Sequence, residues 1–284
     1  MTWHPKATRA LFRSARYGDA MQSALVRTTF ALGLACCLAL ASCRTENLSG
    51  SEAAEVVSCE VVVMGMIHSG HRTSEAYGVE RVREMIRAID PDYVLAEIPP
   101  DRLDQAVREF AATGTIEEPR VVRFPEYTDA LFPLTREMDF EIVPCAAWTR
   151  AMADARSARL RELQTARPEA HAEVQGAWER MERELEEAGL DDNPEGIHTE
   201  AYDAITRRGM EPYDRLFNDE LGSGGWTAIN AAHFALIRAA IEERCGEGGK
   251  RFLITFGAGH KYPFLDALAG MEGVVVRNPL EFLR

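Results

Sequence analysis

Hydrophobic positions along the chain fall into short continuous runs separated by stretches of helical periodicity. The continuous runs, rich in β-branched residues, occupy residues 60–66, 93–98, 140–144, 251–256 and 273–277. Such runs are typical of strands buried on both faces of a parallel sheet. The stretches between them repeat apolar residues every three or four positions, as in residues 79–89. The pattern predicts an α/β fold with a mostly parallel sheet flanked by helices.

A long charged segment interrupts this alternation. Residues 149–222 are polar and helical in pattern, and they carry a narrow apolar stripe at Val174, Trp178, Met181 and Leu185. We therefore predict a helical insertion before the C-terminal strands. Its charged positions are typical of a solvated helix face, and a cap over a site is the alternative interpretation.

The N-terminal part of the chain has the layout of an export signal. An apolar run at residues 30–42 follows Arg27 and is shorter than the roughly 20 apolar residues that a permanent membrane span needs. Its last residues and the one after it resemble the lipobox of bacterial lipoproteins, in the sequence Leu40, Ala41, Ser42, Cys43. The resemblance implies that Cys43 carries acyl chains such as palmitate, and that the protein is anchored to a membrane of the bacterial cell envelope, facing the periplasm.

These features divide the chain into three parts. Residues 1–42 are predicted to be a lipoprotein signal peptide, residues 43–55 a flexible tether, and residues 56–284 a single α/β domain. A start at Met21 in place of Met1 would give the short basic segment that such signals prefer, so both starts stay open.

The charge of the chain argues against nucleic acid as a partner. The sequence contains 45 acidic and 32 basic side chains, a formal net charge of −13, and residues 1–42 hold more basic than acidic groups. The predicted domain is therefore more acidic still, and an acidic surface repels phosphate backbones.

The cysteines predict no stabilising framework. After Cys43 the chain contains Cys59, Cys145 and Cys245, an odd number with no C-x-x-C spacing. This pattern indicates neither a thiolate zinc site nor a disulfide framework, and we expect no disulfide.

Two Gly-x-x-His sequences follow buried strands far apart in the chain. Gly65 to His68 follows the first strand, Gly257 to His260 follows the fourth, and Glu97 ends the second. Because the carboxyl ends of parallel strands meet at one edge of a sheet, the two histidines and Glu97 are expected to converge there. Two imidazoles and a carboxylate suit Zn²⁺ or another divalent ion, with a position left for a water whose pKa the ion lowers toward about 7. The two glycines are expected to adopt unusual backbone angles and to permit close approach of a neighbour.

With these motifs the chain from about residue 60 to residue 283 resembles the TraB/PrgY/GumN proteins and their relatives the Tiki proteases. The same superfamily includes erythromycin-esterase-like proteins and ChaN-like haem-binding proteins. The resemblance rests on Gly65-Met66-Ile67-His68, on Glu97 in VLAEIPPDR, and on Gly257-Ala258-Gly259-His260. It implies a hydrolase of peptide bonds that depends on Zn, Mn or Co, or an esterase with a histidine base.

Two classes of function follow from these residues. The first is a hydrolase in which His68, Glu97 and His260 hold a metal ion or activate water directly, acting on a peptide or a small molecule. The second is an uptake lipoprotein that binds haem or metal without catalysis, using an exposed Tyr or His. The hydrolase is favoured because Glu97 has no evident role in haem ligation, and the lack of a G-x-S-x-G sequence argues against a serine hydrolase.

Four further residues adjoin the predicted site. His71 either joins His68 on a metal or faces solvent, and Asn230 is a candidate for orienting a substrate. Arg102 either pairs with a substrate carboxylate or forms an ordinary ion pair. Tyr262 either closes the pocket, donates to an oxyanion or ligates haem, or else packs against the adjacent helix. The other histidines are predicted to lie in the core, as for His233, or on the surface, as for His171 and His198.

Overall fold

The structure, a computed structural model, describes residues 58–247 and 249–283. The predicted signal peptide, the lipidated Cys43 and the tether at residues 43–55 lie outside the described residues. Within the described part of the chain, no helix is both long enough and apolar enough to cross a membrane.

One sheet of five parallel strands, in the order β3-β2-β4-β1-β5, forms the centre of the fold. The strands are β1 (Cys59–Met66), β2 (Tyr93–Ala96), β3 (Glu141–Pro144), β4 (Arg251–Gly257) and β5 (Val274–Arg277). The α/β prediction is confirmed. Strands β1 and β4 are neighbours, with Met66 opposite Gly257, so the two Gly-x-x-His turns leave the sheet side by side.

Helices cover both faces of the sheet. They are α1 (Val79–Ile89), α2 (Pro100–Thr113), α3 (Phe132–Leu134), α4 (Arg150–Ala166), α5 (Pro168–Glu187), α6 (Pro194–Ile197), α7 (Glu200–Leu221), α8 (Trp226–Arg244) and α9 (Lys261–Leu268). A π-helix (Glu126–Leu131) leads directly into α3. Short 3₁₀ turns occur at His68–Arg72, Gly222–Gly224, Cys245–Glu247, Ala258–His260 and Pro279–Phe282.

Alternate residues of the central strands belong to two separate cores. Val62 and Met64 of β1 pack on one face with α1, α2 and the π-helix. Val61 and Val63 pack on the other face with α8 and α9. Because both faces are buried, the strand needs apolar side chains at every position, which explains its continuous β-branched run.

The predicted helical insertion corresponds to α4 through α7. Val174, Met181 and Leu185 are buried, so the apolar stripe is the inner face of α5. Trp178 packs against the Tyr213 ring of α7, with centroids 5.4 Å apart. The hydroxyl of Thr199 caps α7 by accepting the N–H of Tyr202, so the insertion has local signals of its own.

The expectation of no disulfide is wrong. Cys59 and Cys245 form a disulfide with a Cα–Cα distance of 5.8 Å, and Cys145 is a free, buried cysteine. Cys59 opens β1, and Cys245 follows α8 a few residues before β4, so the parallel pairing of β1 with β4 brings the two together. The two cysteines are 186 positions apart and carry no spacing signal, because the contact depends on the sheet topology.

We expect replacement of both Cys59 and Cys245 by serine to lower the free energy of unfolding by about 3 kcal/mol. A cross-link over a long segment restricts the unfolded chain strongly, and typical disulfides contribute about 2–4 kcal/mol. Urea unfolding with and without dithiothreitol measures the effect. Reductant should bring the wild-type protein to the stability of the double variant and leave that variant unchanged; a wild-type protein indifferent to reductant would contradict the bridge.

Candidate active site

The two Gly-x-x-His motifs interlock at the carboxyl edge of β1 and β4. A Cβ atom added at Gly257 would lie 2.5 Å from His68 Nε2, and one added at Gly65 would lie 3.0 Å from the Cα of Ala258. Each glycine therefore makes room for the other motif. The prediction of unusual backbone angles at the two glycines is wrong. Gly257 has a φ of −48°, and Gly65 is not among the residues with positive φ. Close approach alone explains both glycines.

His68 occupies a strained position at the centre of this edge. Its φ of 50° lies in the left-handed region, which is unfavourable for a residue with a Cβ atom and is found at sites under functional constraint. Its Nδ1 lies 2.5 Å from Glu126 Oε1, and its Nε2 lies 3.7 Å from Glu97 Oε2. The Phe124 ring packs against the imidazole, with centroids 4.6 Å apart.

Glu126 is a site residue that the sequence did not reveal. It opens the π-helix, a local form that is frequent at functional sites, and its side chain is fully buried. Burial raises the pKa of Glu126, but the charge and hydrogen bond of His68 outweigh burial, and the pKa falls below its ordinary value. For His68 burial lowers the pKa, whereas Glu126 and then Glu97 raise it, and the net shift is upward. Both shifts favour the form of the pair in which His68 is an imidazolium and Glu126 a carboxylate.

Glu97 lies directly after β2 and points at the turn of the second motif. Its Oε2 accepts the N–H of Gly257 at 2.9 Å. Its own N–H donates to the Tyr127 hydroxyl, which in turn donates to the carbonyl of Thr255. Burial raises the pKa of Glu97, opposed by the charge of His68. The carboxyl group is thus fixed beside His68 and is easier to protonate than an ordinary glutamate.

His260 is held in one orientation as a neutral imidazole. The Nδ2 group of Asn230 donates to the Trp226 carbonyl, which leaves Asn230 Oδ1 to accept the His260 Nδ1–H at 2.7 Å. The Trp226 ring stacks on the imidazole with centroids 4.9 Å apart. Burial, and then the charges of His233 and His68, hold the pKa of His260 well below its ordinary value. Within the described residues Nε2 has no hydrogen-bond partner, so its lone pair is available.

His71 braces the backbone that presents His68. It is buried, its Nδ1–H donates to the carbonyl of Tyr77 at 2.7 Å, and its Nε2 accepts the N–H of Ile67 at 3.1 Å. Both ring nitrogens are therefore bonded to the protein. The structure gives His71 neither the solvent-facing position nor the free ligand nitrogen considered above.

The prediction that His198 lies on the surface is wrong. It is 3% exposed, its Nδ1–H donates to the Pro194 carbonyl, and its Nε2 accepts the N–H of Gly65 at 3.0 Å. Strand β5 pairs with β1 only as far as Val62, so Gly65 has no neighbouring strand on that side. The imidazole and the Tyr77 hydroxyl, which donates to the Gly65 carbonyl, replace the missing strand.

Stability should fall in acid partly through His198. Burial lowers its pKa to about 3, whereas the unfolded chain binds the proton near pH 6.5. Between these values only the unfolded state is protonated, so stability is complete above about pH 6.5 and decreases as the pH falls toward 3. By pH 5 the loss should be about 2 kcal/mol. Urea unfolding at several pH values measures the effect. The free energy of unfolding should fall less in acid for His198→Gln than for the wild-type protein or for the partly exposed control, His171→Gln. Parallel pH dependence in all three proteins would contradict the role of His198.

The remaining candidates lie around the site without joining its polar centre. Arg102 pairs with Asp101 at 3.2 Å and lies 3.9 Å from Glu118, so it forms an ion pair away from Glu97. Tyr262 is buried, and its hydroxyl accepts the Trp226 Nε1–H at 2.8 Å. His233 is a core residue, as predicted, and its Nδ1 accepts the N–H of Ala147.

The insertion contacts both motifs. His198 follows α6 and bonds to Gly65, as described above. Asp203 of α7 forms a hydrogen-bonded ion pair with Lys261, the residue after His260. Burial raises the pKa of Asp203 and lowers that of Lys261, although each partner opposes the shift of the other. The insertion is thus a solvated helical layer that also supports the two turns through hydrogen bonds.

A divalent ion fits the donor chemistry of this edge. In both motif histidines Nδ1 bonds to a side-chain oxygen, which leaves Nε2 as the ligand atom, the usual arrangement of protein metal sites. The 3.7 Å between His68 Nε2 and Glu97 Oε2 is close to the separation of two ligands on one ion. Among the described residues, however, no group of three or more His, Cys, Asp or Glu side chains is gathered closely enough to hold an ion.

Comparison of the chain with protein-family models, with curated proteins and with solved structures finds no match.

Proposed function

We propose that this chain is a hydrolase of peptide or ester bonds whose site is built from the two Gly-x-x-His turns and Glu97. The observation that carries the proposal is the interlocking of the turns, in which Gly257 packs against the His68 imidazole while Glu126 holds its other side. A strained, partly buried and charge-coupled histidine at the carboxyl edge of a parallel sheet is the expected setting of a catalytic group.

The two histidines are suited to opposite roles. His260 is neutral, and Asn230 fixes its tautomer so that Nε2 can accept a proton from an attacking water. His68 favours the imidazolium form through Glu126, so its Nε2–H can stabilise a developing oxyanion or protonate the leaving group. Two titratable groups whose pKa values are pushed apart are typical of an acid–base pair.

Glu97 completes the proposed centre. Its Oε2 is fixed by the Gly257 N–H and faces His68 Nε2 at 3.7 Å, a gap that a water or a substrate atom can bridge. Because burial raises its pKa, Glu97 can hold a proton during turnover.

We retain a divalent ion, Zn, Mn or Co, as part of the proposal. Nε2 of His68, Nε2 of His260 and the Glu97 carboxylate would hold it, and a bound ion would lower the pKa of a coordinated water. In that form Glu126 and Asn230 keep their roles, because each orients its histidine from the Nδ1 side.

The cellular setting is part of the same proposal. The lipobox-like sequence at Cys43 supports a lipid anchor on the cell envelope, and the Cys59–Cys245 disulfide supports an oxidising compartment such as the periplasm. The substrate would then be an extracytoplasmic peptide or small ester. Haem ligation by Tyr262 is disfavoured, because its side chain is buried and its hydroxyl is hydrogen-bonded to Trp226.

The purified full-length protein in detergent tests the proposal through metal analysis and hydrolysis of p-nitrophenyl pentanoate and a peptide mixture. His68→Ala and His260→Ala should each abolish hydrolysis, whereas the partly exposed His171→Ala should leave it intact. If an ion is bound, both site variants should also lose it. Hydrolysis that survives in both site variants would contradict the hydrolase, and unchanged metal content in both would contradict the metal site.

A further inference from the structure

Arg120 stands out among the arginines of this acidic protein. Its side chain is half-buried, yet within the described residues its guanidinium forms neither a hydrogen bond nor an ion pair. The other half-buried arginines of the described residues are bonded to carboxylates, carbonyls or a tyrosine hydroxyl, as for Arg102, Arg156 and Arg251. Burial lowers the pKa of Arg120, even though Glu118 and Glu97 act on its charge from a distance. A positive charge that is partly removed from water and not directly bonded to an anion is unfavourable in the free protein.

The turn that carries Arg120 is held rigidly. Glu118 is 1% exposed, and its Oε2 accepts the backbone N–H groups of Arg120 and Val121 at 2.7 and 2.8 Å. Arg102 lies 3.9 Å from the other oxygen of Glu118. The Glu118 carboxylate is therefore engaged by other groups, and the guanidinium of Arg120 is not hydrogen-bonded to it.

This turn leads directly into the site. Phe124, which packs on the His68 ring, and Glu126, which bonds to it, follow within six residues of Arg120. The charge of Arg120 is felt by Glu97, and that of the nearby Arg123 by His68. Arg123 is exposed and also forms no hydrogen bond or ion pair among the described residues. The turn thus carries two positive charges with open donors, and it enters the site through Phe124 and Glu126, which both contact His68.

We propose that Arg120, assisted by Arg123, binds an anionic group of the substrate, a carboxylate or a phosphate, next to the hydrolytic centre. A guanidinium with free donors matches both anions by paired hydrogen bonds, and the surrounding half-buried position strengthens them. This inference rests on the proposed hydrolase function, because the bound anion is part of a substrate only if the site is hydrolytic. It makes the preferred compound an ester or peptide with a negative charge near the bond that is cut.

The test compares the purified full-length protein with its Arg120→Gln and Arg108→Gln variants. Arg108 is exposed on α2 and forms no hydrogen bond or ion pair among the described residues, so it controls for loss of one positive charge. Calorimetry with glutarate and with inorganic phosphate measures anion binding. Hydrolysis of mono-p-nitrophenyl glutarate and of p-nitrophenyl pentanoate measures preference, since the two acyl groups differ mainly in the terminal carboxylate.

We expect the wild-type protein to bind at least one anion and to prefer the glutarate ester in kcat/KM. Arg120→Gln should weaken anion binding and reduce that preference by about tenfold or more, because hydrogen bonds to charged groups have effects of this size. Arg108→Gln should match wild type. Binding of glutarate alone assigns a carboxylate, and binding of phosphate alone assigns a phosphate.

The two proposals fail separately in this experiment. A wild-type protein that binds neither anion, or an Arg120→Gln variant that binds as tightly as wild type, overturns the anion site whatever the hydrolysis shows. Anion binding that depends on Arg120, with neither ester hydrolysed, leaves the site standing and counts against the ester-hydrolase proposal.

Discussion

Glu126→Gln should lower kcat/KM for hydrolysis by about 10³-fold while leaving the protein folded, a loss in the usual range for acid–base groups. The carboxylate accepts the His68 Nδ1–H at 2.5 Å and raises the pKa of that histidine. Glutamine has the same shape but no charge, so the pKa of His68 falls, the imidazolium loses its main support, and the ring orientation is no longer fixed by an anion. Steady-state kinetics with p-nitrophenyl pentanoate, together with circular dichroism, measure both effects.

Glu60→Gln is the matched control for this change. Glu60 lies in β1 near its start, away from the site, where it pairs with Arg251 and Arg277 at 2.7 Å each. Loss of its charge should reduce stability slightly and leave kcat/KM within about twofold of wild type, since exposed ion pairs contribute roughly 0–1 kcal/mol. Equal activity of Glu126→Gln and wild type would remove Glu126 from the proposed centre.

Gly257→Ala should reduce kcat/KM by about 10²-fold, the usual effect of displacing a catalytic group by about 1 Å. The added methyl carbon would lie 2.5 Å from His68 Nε2, far inside normal contact distance. The imidazole must therefore shift, and its contact with Glu97 at 3.7 Å is lost. The backbone angles of Gly257 are ordinary, so the effect should appear in activity more than in folding.

Gly270→Ala provides the comparison. A Cβ at Gly270 would meet its nearest neighbour, the Ala267 carbonyl, at an ordinary 3.7 Å. This variant should retain activity and stability. If Gly257→Ala behaved in the same way, the close packing of the first histidine against the second motif would not matter for function.

Much of the fold could be predicted from local patterns. The continuous runs in β1 and β4 reflect burial on both faces, and the stripe on α5 reflects packing within the insertion. These signals can be found in short stretches of sequence, because each depends only on which face of one strand or helix is buried. The position of His68 and Glu97 at strand ends could be predicted in the same way.

The rest of the site depends on contacts between distant segments. Glu126 lies in an irregular stretch before α3, and only the folded chain places it against His68. His198 lies in a charged insertion, and its burial follows from the early end of β5. The Cys59–Cys245 bridge likewise depends on the β1–β4 pairing. A single Glu between the aromatic residues Phe124 and Tyr127, in FPEYTD, is the one sequence signal that could have drawn attention to Glu126.

The most direct test of the account is the protonation of the two motif histidines, measured by ¹⁵N NMR of the imidazole groups in metal-free protein at pH 7. We expect His68 to be an imidazolium and His260 a neutral ring protonated at Nδ1, because Glu126 holds the first and Asn230 the second. Assignment follows from the loss of each signal in His68→Ala and His260→Ala. The same protonation state in both rings, or a His260 proton on Nε2, would contradict the assignment of opposite roles.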